Sequence, residues 1–423
     1  MLIRFSVENF LSYQKRQTLD LSAVKSCKKP AGNTFDINGM QLLKSAVIYG
    51  ANASGKSNLF RAFLIMKGII KNSARESQST EPLGLIPFVF CNDNKEKPSR
   101  FELEFICQDI QYRYGFGATD TAITEEWFFK RISKTKEVPL FCRTNENGAD
   151  NIQVFDDMEQ ARNKGLEAMT RGNALFLSVC DQMNVELAKE IMRYLRFSIN
   201  IISGLQDAGY KDFTVNGFCT GVLREEILGF MRNADFNIVD LEIELKDIED
   251  DNGSKRKSIP DIRSVHNVYD KDYNIVDKIK IPFNKLESDG TQKAFALAGP
   301  VIDTLKGGKV LFIDELDSRL HPAFTRKLVQ MFNSEDQNPK NAQLIFATHD
   351  SNLLNKDLLR RDQIWFAEKN HGEATELYSL IDYILDDKNK VRNDASYGKD
   401  YLSGRYGAIP FLSDLKVSGD AHE

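Results

Sequence analysis

A mixed α/β fold built around buried strands is predicted by three stretches of this 423-residue chain. Ala46-Val47-Ile48-Tyr49 is an apolar run that leads into a glycine-bounded loop and then a helical pattern. Val310-Leu311-Phe312-Ile313 is a second apolar run, ending in the acids Asp314 and Glu315. Gln343-Leu344-Ile345-Phe346-Ala347-Thr348 is a third, ending in His349. Short apolar runs of this kind read as strands buried on both faces, and open α/β sheets collect ligands at the carboxyl ends of such strands. All three deliver chemistry-bearing residues there.

The loop after the first run is Gly50-Ala51-Asn52-Ala53-Ser54-Gly55-Lys56-Ser57, a G-x-x-x-x-G-K-[ST] pattern between a strand and a helix. Its two glycines, Gly50 and Gly55, let the backbone fold round an anion so that N–H groups, including those near Asn52, point inward. Lys56 then reaches the β- and γ-phosphates and Ser57 brings its hydroxyl to Mg²⁺, with the helix N-terminus adding its positive end. A glycine- and serine-rich turn is the bland alternative, and the flanking strand and helix argue against it. Binding of a nucleoside triphosphate is the expectation.

In P-loop enzymes an acid-tipped strand completes this chemistry. Asp314 is expected to hold the Mg²⁺ shell, and Glu315 to polarise the attacking water as general base. His349, at the end of the next strand, is placed to contact the γ-phosphate. Between loop and acids lies Leu286-Glu287-Ser288-Asp289-Gly290-Thr291-Gln292-Lys293, which runs into the alanine-rich helix Ala294-Phe295-Ala296-Leu297-Ala298. Ser288 or Asp289 can cap that helix, and Gly290 can relieve crowding at its start. The segment also stands about two dozen residues before the acids, where a phosphate-binding signature is expected in one large ATPase family.

Composition sets the frame. Hydrophobic content of 42% supports a sizeable core and 28% charged residues support a soluble surface. No apolar run approaches the roughly 18 residues that span a bilayer. Met1–Phe10 alternates like a strand and carries no signal-peptide pattern. Six scattered cysteines without a C-x-x-C pair point to neither zinc nor disulfides, so a cytoplasmic setting is expected. A net charge of −5 argues against non-specific coating of nucleic acid. Lys25-Ser26-Cys27-Lys28-Lys29, Lys255-Arg256-Lys257 and Arg360-Arg361 are possible local basic patches, each more often a solvated loop or helix end.

The middle is less patterned. Arg100–Phe116 alternates through Phe101, Leu103, Phe105, Tyr112, Tyr114 and Phe116 and reads as a hairpin. Residues from about 155 to 235 read as helical, as in Val185–Leu195, and no heptad repeat is sustained over three heptads. From Ile238 to Lys285 strands return around an acidic-then-basic tip at Asp247–Lys257. His266 and His321 read as structural.

Together Gly50–Ser57, Ser288-Asp289-Gly290-Thr291-Gln292, Val310–Glu315, Leu316-Asp317-Ser318 and His349 resemble the ABC ATPase set of Walker A, signature, Walker B, D-loop and switch histidine. The opening strand with Glu8-Asn9-Phe10 resembles the SMC/Rad50/RecF branch, and the chain is similar to stand-alone bacterial ATPases of the AAA-15/AAA-21 group, including restriction-linked ones. Tyr401–Pro410 also resembles that group. The likeness covers roughly residues 1–130 and 280–410. The signature has Asp289 where Gly is commoner.

This resemblance implies an ABC-type P-loop ATPase head, a mixed sheet with flanking helices, carrying a compact and mainly helical insertion. The divisions expected are 1–150 for the N-terminal part of the head, 151–237 for the insertion and 238–423 for the C-terminal part. It further implies a homodimer that sandwiches ATP and Mg²⁺, with Ser288 and Gly290 of one copy meeting the nucleotide on the other and Asp317 lining the seam. The expected activity is ATP hydrolysis that switches a partner in bacterial antiphage defence. Some relatives resemble overcoming-lysogenization enzymes, which fuse a TOPRIM nuclease after the head. Here only a short tail follows His349, and Asp386-Asp387 has no apolar strand before it. A nuclease, plausibly of TOPRIM type, is therefore expected as a separate protein, with DNA or a phage component as trigger. Tyr401–Pro410 is read either as its docking segment or as a structural tail. The alternatives are a repair ATPase that clamps DNA itself and, less favoured, a transporter subunit.

Overall fold

In the computed structural model, residues 1–410 are described apart from 28, 76–80, 134–135, 147–148, 235, 250–254, 386–389 and 393–394. The chain divides into two compact units, one of Leu2–Arg193 with Ser351–Glu423 and one of Tyr194–Asp350 with Met1.

The first unit is built on alternation. The strands Ser99–Cys107 and Ile110–Ala118 pair with Phe101 opposite Phe116, Leu103 opposite Tyr114 and Phe105 opposite Tyr112. All six side chains are buried. Their two-residue turn, Gln108-Asp109, takes positive φ at both positions (46° and 60°), the twist that closes a tight hairpin. This hairpin lies within a seven-stranded antiparallel sheet in the order Ala149–Val154, Glu137–Glu146, Ile123–Arg131, Ile110–Ala118, Ser99–Cys107, Leu2–Glu8 and Gln17–Asp20. The helix Lys56–Asn72 buries Leu59, Phe60, Phe63, Met66, Ile69 and Ile70, the stripe of a 3.6-residue period. Its Phe63 meets Phe5 of the sheet with ring centroids 4.7 Å apart. In the same unit Ser45–Tyr49 pairs in parallel with Ile364–Lys369, which turns back into Thr375–Ser379. The stretch after His349 thus does supply sheet strands.

In the second unit Val310–Asp314 lies between two parallel partners, Gln343–Ala347 and Ile199–Ser203. The last of these corrects the reading of 155–235 as helical throughout. Ile199-Asn200-Ile201-Ile202-Ser203 is too short to show a period, and its β-branched content fits a buried strand. The helix Asp289–Gly307 packs with Ala208–Cys219 and Arg224–Asn233 over a core that includes Phe218, Ile227, Met231, Phe283 and Phe295. Pro300 inside that helix cannot donate to the carbonyl of Ala296, and the hydroxyl of Thr214 donates to it instead at 2.8 Å. The hairpin Asp240–Glu249 with Lys255–Tyr269 is extended by Ile275–Pro282. Its tip, 250–254, lies outside the described residues, as do the side chains of Lys255, Arg256 and Lys257.

One basic patch changes meaning. Arg360 and Arg361 are buried, Arg360 bonding Asp362 at 2.6 Å and Arg361 bonding the carbonyl of Val391. They pin chain to chain and are not a nucleic-acid surface. In the other patch Cys27 is buried and Lys28 lies outside the described residues. Both histidines of the middle have local partners. His266 Nε2 lies 2.7 Å from Glu287, and His321 Nδ1 accepts from the N–H of Ala323 at the start of the helix Pro322–Asn333.

Candidate active site

Gly50, Asn52, Gly55, Lys56 and Ser57 fall together in the first unit. The strand Ser45–Tyr49 ends at Gly50, and the helix starts at Lys56 with Gly55 as its cap. Gly55 has φ +102°, which an L side chain rarely adopts, and a Cβ there would overlap Thr375 Oγ1. Ala53 also takes positive φ, 61°, a second left-handed position within the loop. No side chain caps the helix, and no acid sits in its first turn, so its positive end is not neutralised locally. Lys56 is buried and its Nζ donates to the carbonyls of Gly50 (2.7 Å) and Ala51 (2.9 Å). Ser54 Oγ is buried without a hydrogen-bond partner among the described residues. A donor left over beside a buried ammonium and an uncapped helix start fits a phosphate, which accepts and carries negative charge.

Residues distant in sequence hold this loop from behind. Thr375 Oγ1 bonds Ser54 O and Ser12 Oγ, both at 2.8 Å, and Asn58 Nδ2 donates to Ser12 Oγ at 2.8 Å. Tyr13 donates to the carbonyl of Gly55 at 3.1 Å. Sequence reasoning missed Ser12, Tyr13 and Thr375. Their types are common in loops, and only folding brings them to the loop.

Ser288, Gly290, Asp314, Glu315, Asp317 and His349 fall in the second unit. Ser288 caps the helix Asp289–Gly307 by accepting from the N–H of Thr291 at 3.1 Å. Ser288 is nonetheless solvent-exposed, as is His349. Asp314 ends its strand, and Glu315 follows with φ +55°, a conformation uncommon for a residue with a side chain. This turn sends Leu316 back to the neighbouring strand, where its N–H donates to Ala347 O at 3.0 Å. Gly204, just after Ile199–Ser203, donates to Asp314 O at 2.5 Å. A Cβ on Gly204 would overlap the carbonyl of Glu315, so only glycine fits beside that turn. The N–H of His349 donates to Asp317 Oδ2 at 3.3 Å, joining the D-loop and histidine positions.

A buried cation ties these pieces further. Lys293, one turn into the Ser288-capped helix, is wholly buried, and its Nζ bonds Gly204 O (2.5 Å), Asp207 Oδ1 (3.0 Å) and Tyr210 Oη (2.5 Å). Asp207 Oδ2 also accepts from Arg319 at 2.5 Å. Burial pushes the Asp207 carboxyl up, but hydrogen bonds from Tyr210 and Lys293 and the charges of Lys293 and Arg319 outweigh it and hold it below its ordinary value. The sequence around Gln292-Lys293 carries no sign of this, because Asp207 is far away along the chain.

The order of phosphate loop, Ser288-capped helix, acid-tipped strand and histidine-tipped strand defines a P-loop ATPase fold of the ABC type. A family model described as "AAA domain, putative AbiEii toxin, Type IV TA system" matches residues 45–151 and 223–355. These segments make up more than half of the chain, and the chain belongs to that family. Among solved structures it is similar to the SMC head domain from Thermotoga maritima, at 15% identity over 89% of this chain and 98% of that one, with a TM-score of 0.38. It is also similar to the recombination mediator protein RecF bound as RecF-ATPrS, at 16% identity over 89% and 98% of the two chains, with a TM-score of 0.35. The likeness to cbiO1 from Clostridium perfringens, part of an ABC transporter complex, is 12% identity over 86% and 87%, with a TM-score of 0.29. No curated protein matches the chain. No helix among the described residues is long and apolar enough to cross a membrane.

Proposed function

We propose that this chain binds ATP with Mg²⁺ and hydrolyses it, and that the nucleotide state of a homodimer controls a partner protein in bacterial antiphage defence. The observation that carries the nucleotide reading is the loop Gly50–Ser57, with its buried Lys56, its unpartnered Ser54 hydroxyl and its uncapped helix start. Lys56 and the loop N–H groups bind the phosphates, and Ser57 and Asp314 are the side chains that hold Mg²⁺. The metal, when bound, offsets charge on the phosphate oxygens. Glu315 accepts a proton from the attacking water, and His349 orients toward the γ-phosphate. Ser288 and Gly290 offer a helix N-terminus to the nucleotide carried by the second copy, and Asp317 lines the seam between copies. Loss of the γ-phosphate then removes the bridge, which makes the dimer a switch.

The family description, with its toxin and toxin–antitoxin wording, supports a two-component defence role. The partner is proposed to be a nuclease, plausibly of TOPRIM type, acted on in trans once DNA or a phage component alters the nucleotide state. Asp386 and Asp387, the acidic pair of the tail, lie outside the described residues.

Lys56→Ala is expected to abolish ATP binding. Glu315→Gln is expected to keep binding, to lower turnover by 100-fold or more on the order of a lost general base, and to accumulate an ATP-bound dimer. Nucleotide binding, phosphate release and sizing with and without ATP test this. Wild-type turnover by Glu315→Gln would remove Glu315 from the role of base. The partner reading is tested by incubating the purified chain with DNA, RNA, ATP and Mg²⁺ or Mn²⁺. Cleavage that disappears when acids of this chain are mutated would overturn it.

A further inference from the structure

His266 takes no part in the chemistry above, yet it reaches the segment that carries Ser288. It lies on the strand Lys255–Tyr269 two residues after Ser264, so both side chains stand on one face of the sheet. Both meet a single atom. Ser264 Oγ donates to Glu287 Oε1 at 2.5 Å, and His266 Nε2 lies 2.7 Å from that same oxygen. A carboxylate oxygen accepts, so the imidazole donates through its Nε2–H. Serine, histidine and an acid form a nucleophilic triad where the histidine bridges the other two. Here the serine and the histidine each bond the acid, an arrangement that holds Glu287 in place. Ser264 is wholly buried and the Glu287 side chain is 9% exposed, although its neighbours Leu286 and Ser288 are both exposed.

The backbone of Glu287 is tied to the helix that follows. Its carbonyl accepts from Gln292 Nε2 at 3.0 Å, and the Gln292 N–H donates to Ser288 O at 3.0 Å. Its N–H donates to Phe283 O at 3.2 Å, and Phe283 is buried with its ring 5.2 Å from that of Phe295 on the same helix. Glu287 and Ser288 are both extended, with ψ at 148° and 154°, so their side chains leave the chain on opposite sides. The carboxylate of Glu287 goes to the sheet, and the Ser288 hydroxyl goes to the exposed helix start. One residue thus joins the sheet to the start of the helix Asp289–Gly307.

We propose that Glu287, held by Ser264 and His266, is a positioning residue for the helix start at Ser288–Gly290. This inference rests on the ATP reading above and on its shared site, in which that helix start serves the nucleotide of the second copy. A contact to a reacting phosphate is sensitive to a displacement of about 1 Å, and a side chain anchored on a sheet limits such a displacement. The chain's own phosphate loop contains none of these residues. Loosening Glu287 therefore lowers turnover and spares ATP affinity.

The test measures ATP turnover and equilibrium binding of a fluorescent ATP analogue for the full chain, His266→Ala, His266→Gln, Glu287→Ala, Lys56→Ala and Ser288→Arg, with unfolding midpoints alongside. His266→Ala and Glu287→Ala are each expected to lower turnover about tenfold and to keep affinity within about twofold. His266→Gln keeps an N–H donor at similar reach and is expected to recover most of the loss. His266→Ala mixed with Lys56→Ala is expected to regain turnover, because one shared site then has an intact loop from one copy and an intact helix start from the other. Wild-type turnover in both alanine variants would overturn the proposal. So would equal losses in His266→Gln and His266→Ala, or an affinity that falls as far as turnover. A lack of recovery on mixing, where Ser288→Arg does recover, would overturn it as well. Undiminished ATP binding by Lys56→Ala, or wild-type turnover by Ser288→Arg, would instead sink the reading on which this inference rests. If His266→Ala does not fold, Ser264→Ala removes the other donor and takes its place in the same measurements, with the same outcomes expected.

Discussion

Glu315 carries a backbone conformation at odds with its residue type. With φ at +55° it sits in the left-handed region, where a side chain costs on the order of 1 kcal/mol relative to glycine. The turn it makes returns Leu316 to the neighbouring strand, and the place is kept although glycine would fit more easily. Such strain is expected where chemistry needs the side chain. Glu315→Gly should therefore be more stable than Glu315→Ala by about 0.5–1 kcal/mol, although both lose the carboxylate proposed as general base. Denaturant unfolding of the two variants measures this directly. Equal stability would mean that the turn imposes no conformational cost.

At the scale of elements, the helix Asp289–Gly307 is held by charge as well as by its apolar face. Lys293 lies wholly buried against Asp207, which is itself bonded by Tyr210 and Arg319. Removing one member of a buried pair leaves the other charged without compensation, at a cost of roughly 3–5 kcal/mol. Lys293→Met should fall near the lower end, because Arg319 still faces Asp207. The pair also gives a pH dependence of known sign. The folded Asp207 carboxyl lies below its ordinary value of 3.8, so its stabilisation is fully present above about pH 4. It is lost as pH falls through the folded value. Acid unfolding of Asp207→Asn should thus show a shallower loss of stability below pH 4 than the wild type. An unchanged acid limb would exclude Asp207 from that transition.

For the molecule as a whole, the proposal of an active site shared between two copies has a consequence that single variants cannot test. Ser288→Arg should place a bulky cation at the exposed helix start, stopping turnover while leaving ATP affinity largely intact. Lys56→Ala should damage the phosphate loop instead. Mixed together, the two variants form a heterodimer in which one site has both damages and the other has neither. Partial recovery of ATPase activity is expected on mixing, up to about half of the wild-type rate per heterodimer if the sites act independently. An absence of recovery, with subunit exchange demonstrated by labelled copies, would count against a shared site.

What could be read before folding was local. Gly50–Ser57 was legible because a glycine loop, a lysine and a hydroxyl lie within eight consecutive residues. The acids at 314 and 315, the Ser288 cap and the alternating hairpin at 99–118 were legible for the same reason, since their chemistry or period is written within one element. Contacts between distant segments leave no such trace. The strand Ile199–Ser203 was hidden because five residues, three of them isoleucine, have no diagnostic period, and only parallel pairing with Val310–Asp314 makes them a strand. Arg360 and Arg361 looked like a surface patch until Asp362 and Val391 were seen to bury them. The links from Lys293 to Asp207 and from Thr375 to Ser54 cross long stretches of chain, so neither residue type nor spacing announces them. The sequence by itself determined which chemistry is present. Only tertiary structure decided which side chains hold that chemistry in place, because burial and hydrogen bonding between remote segments exist only once the chain has folded.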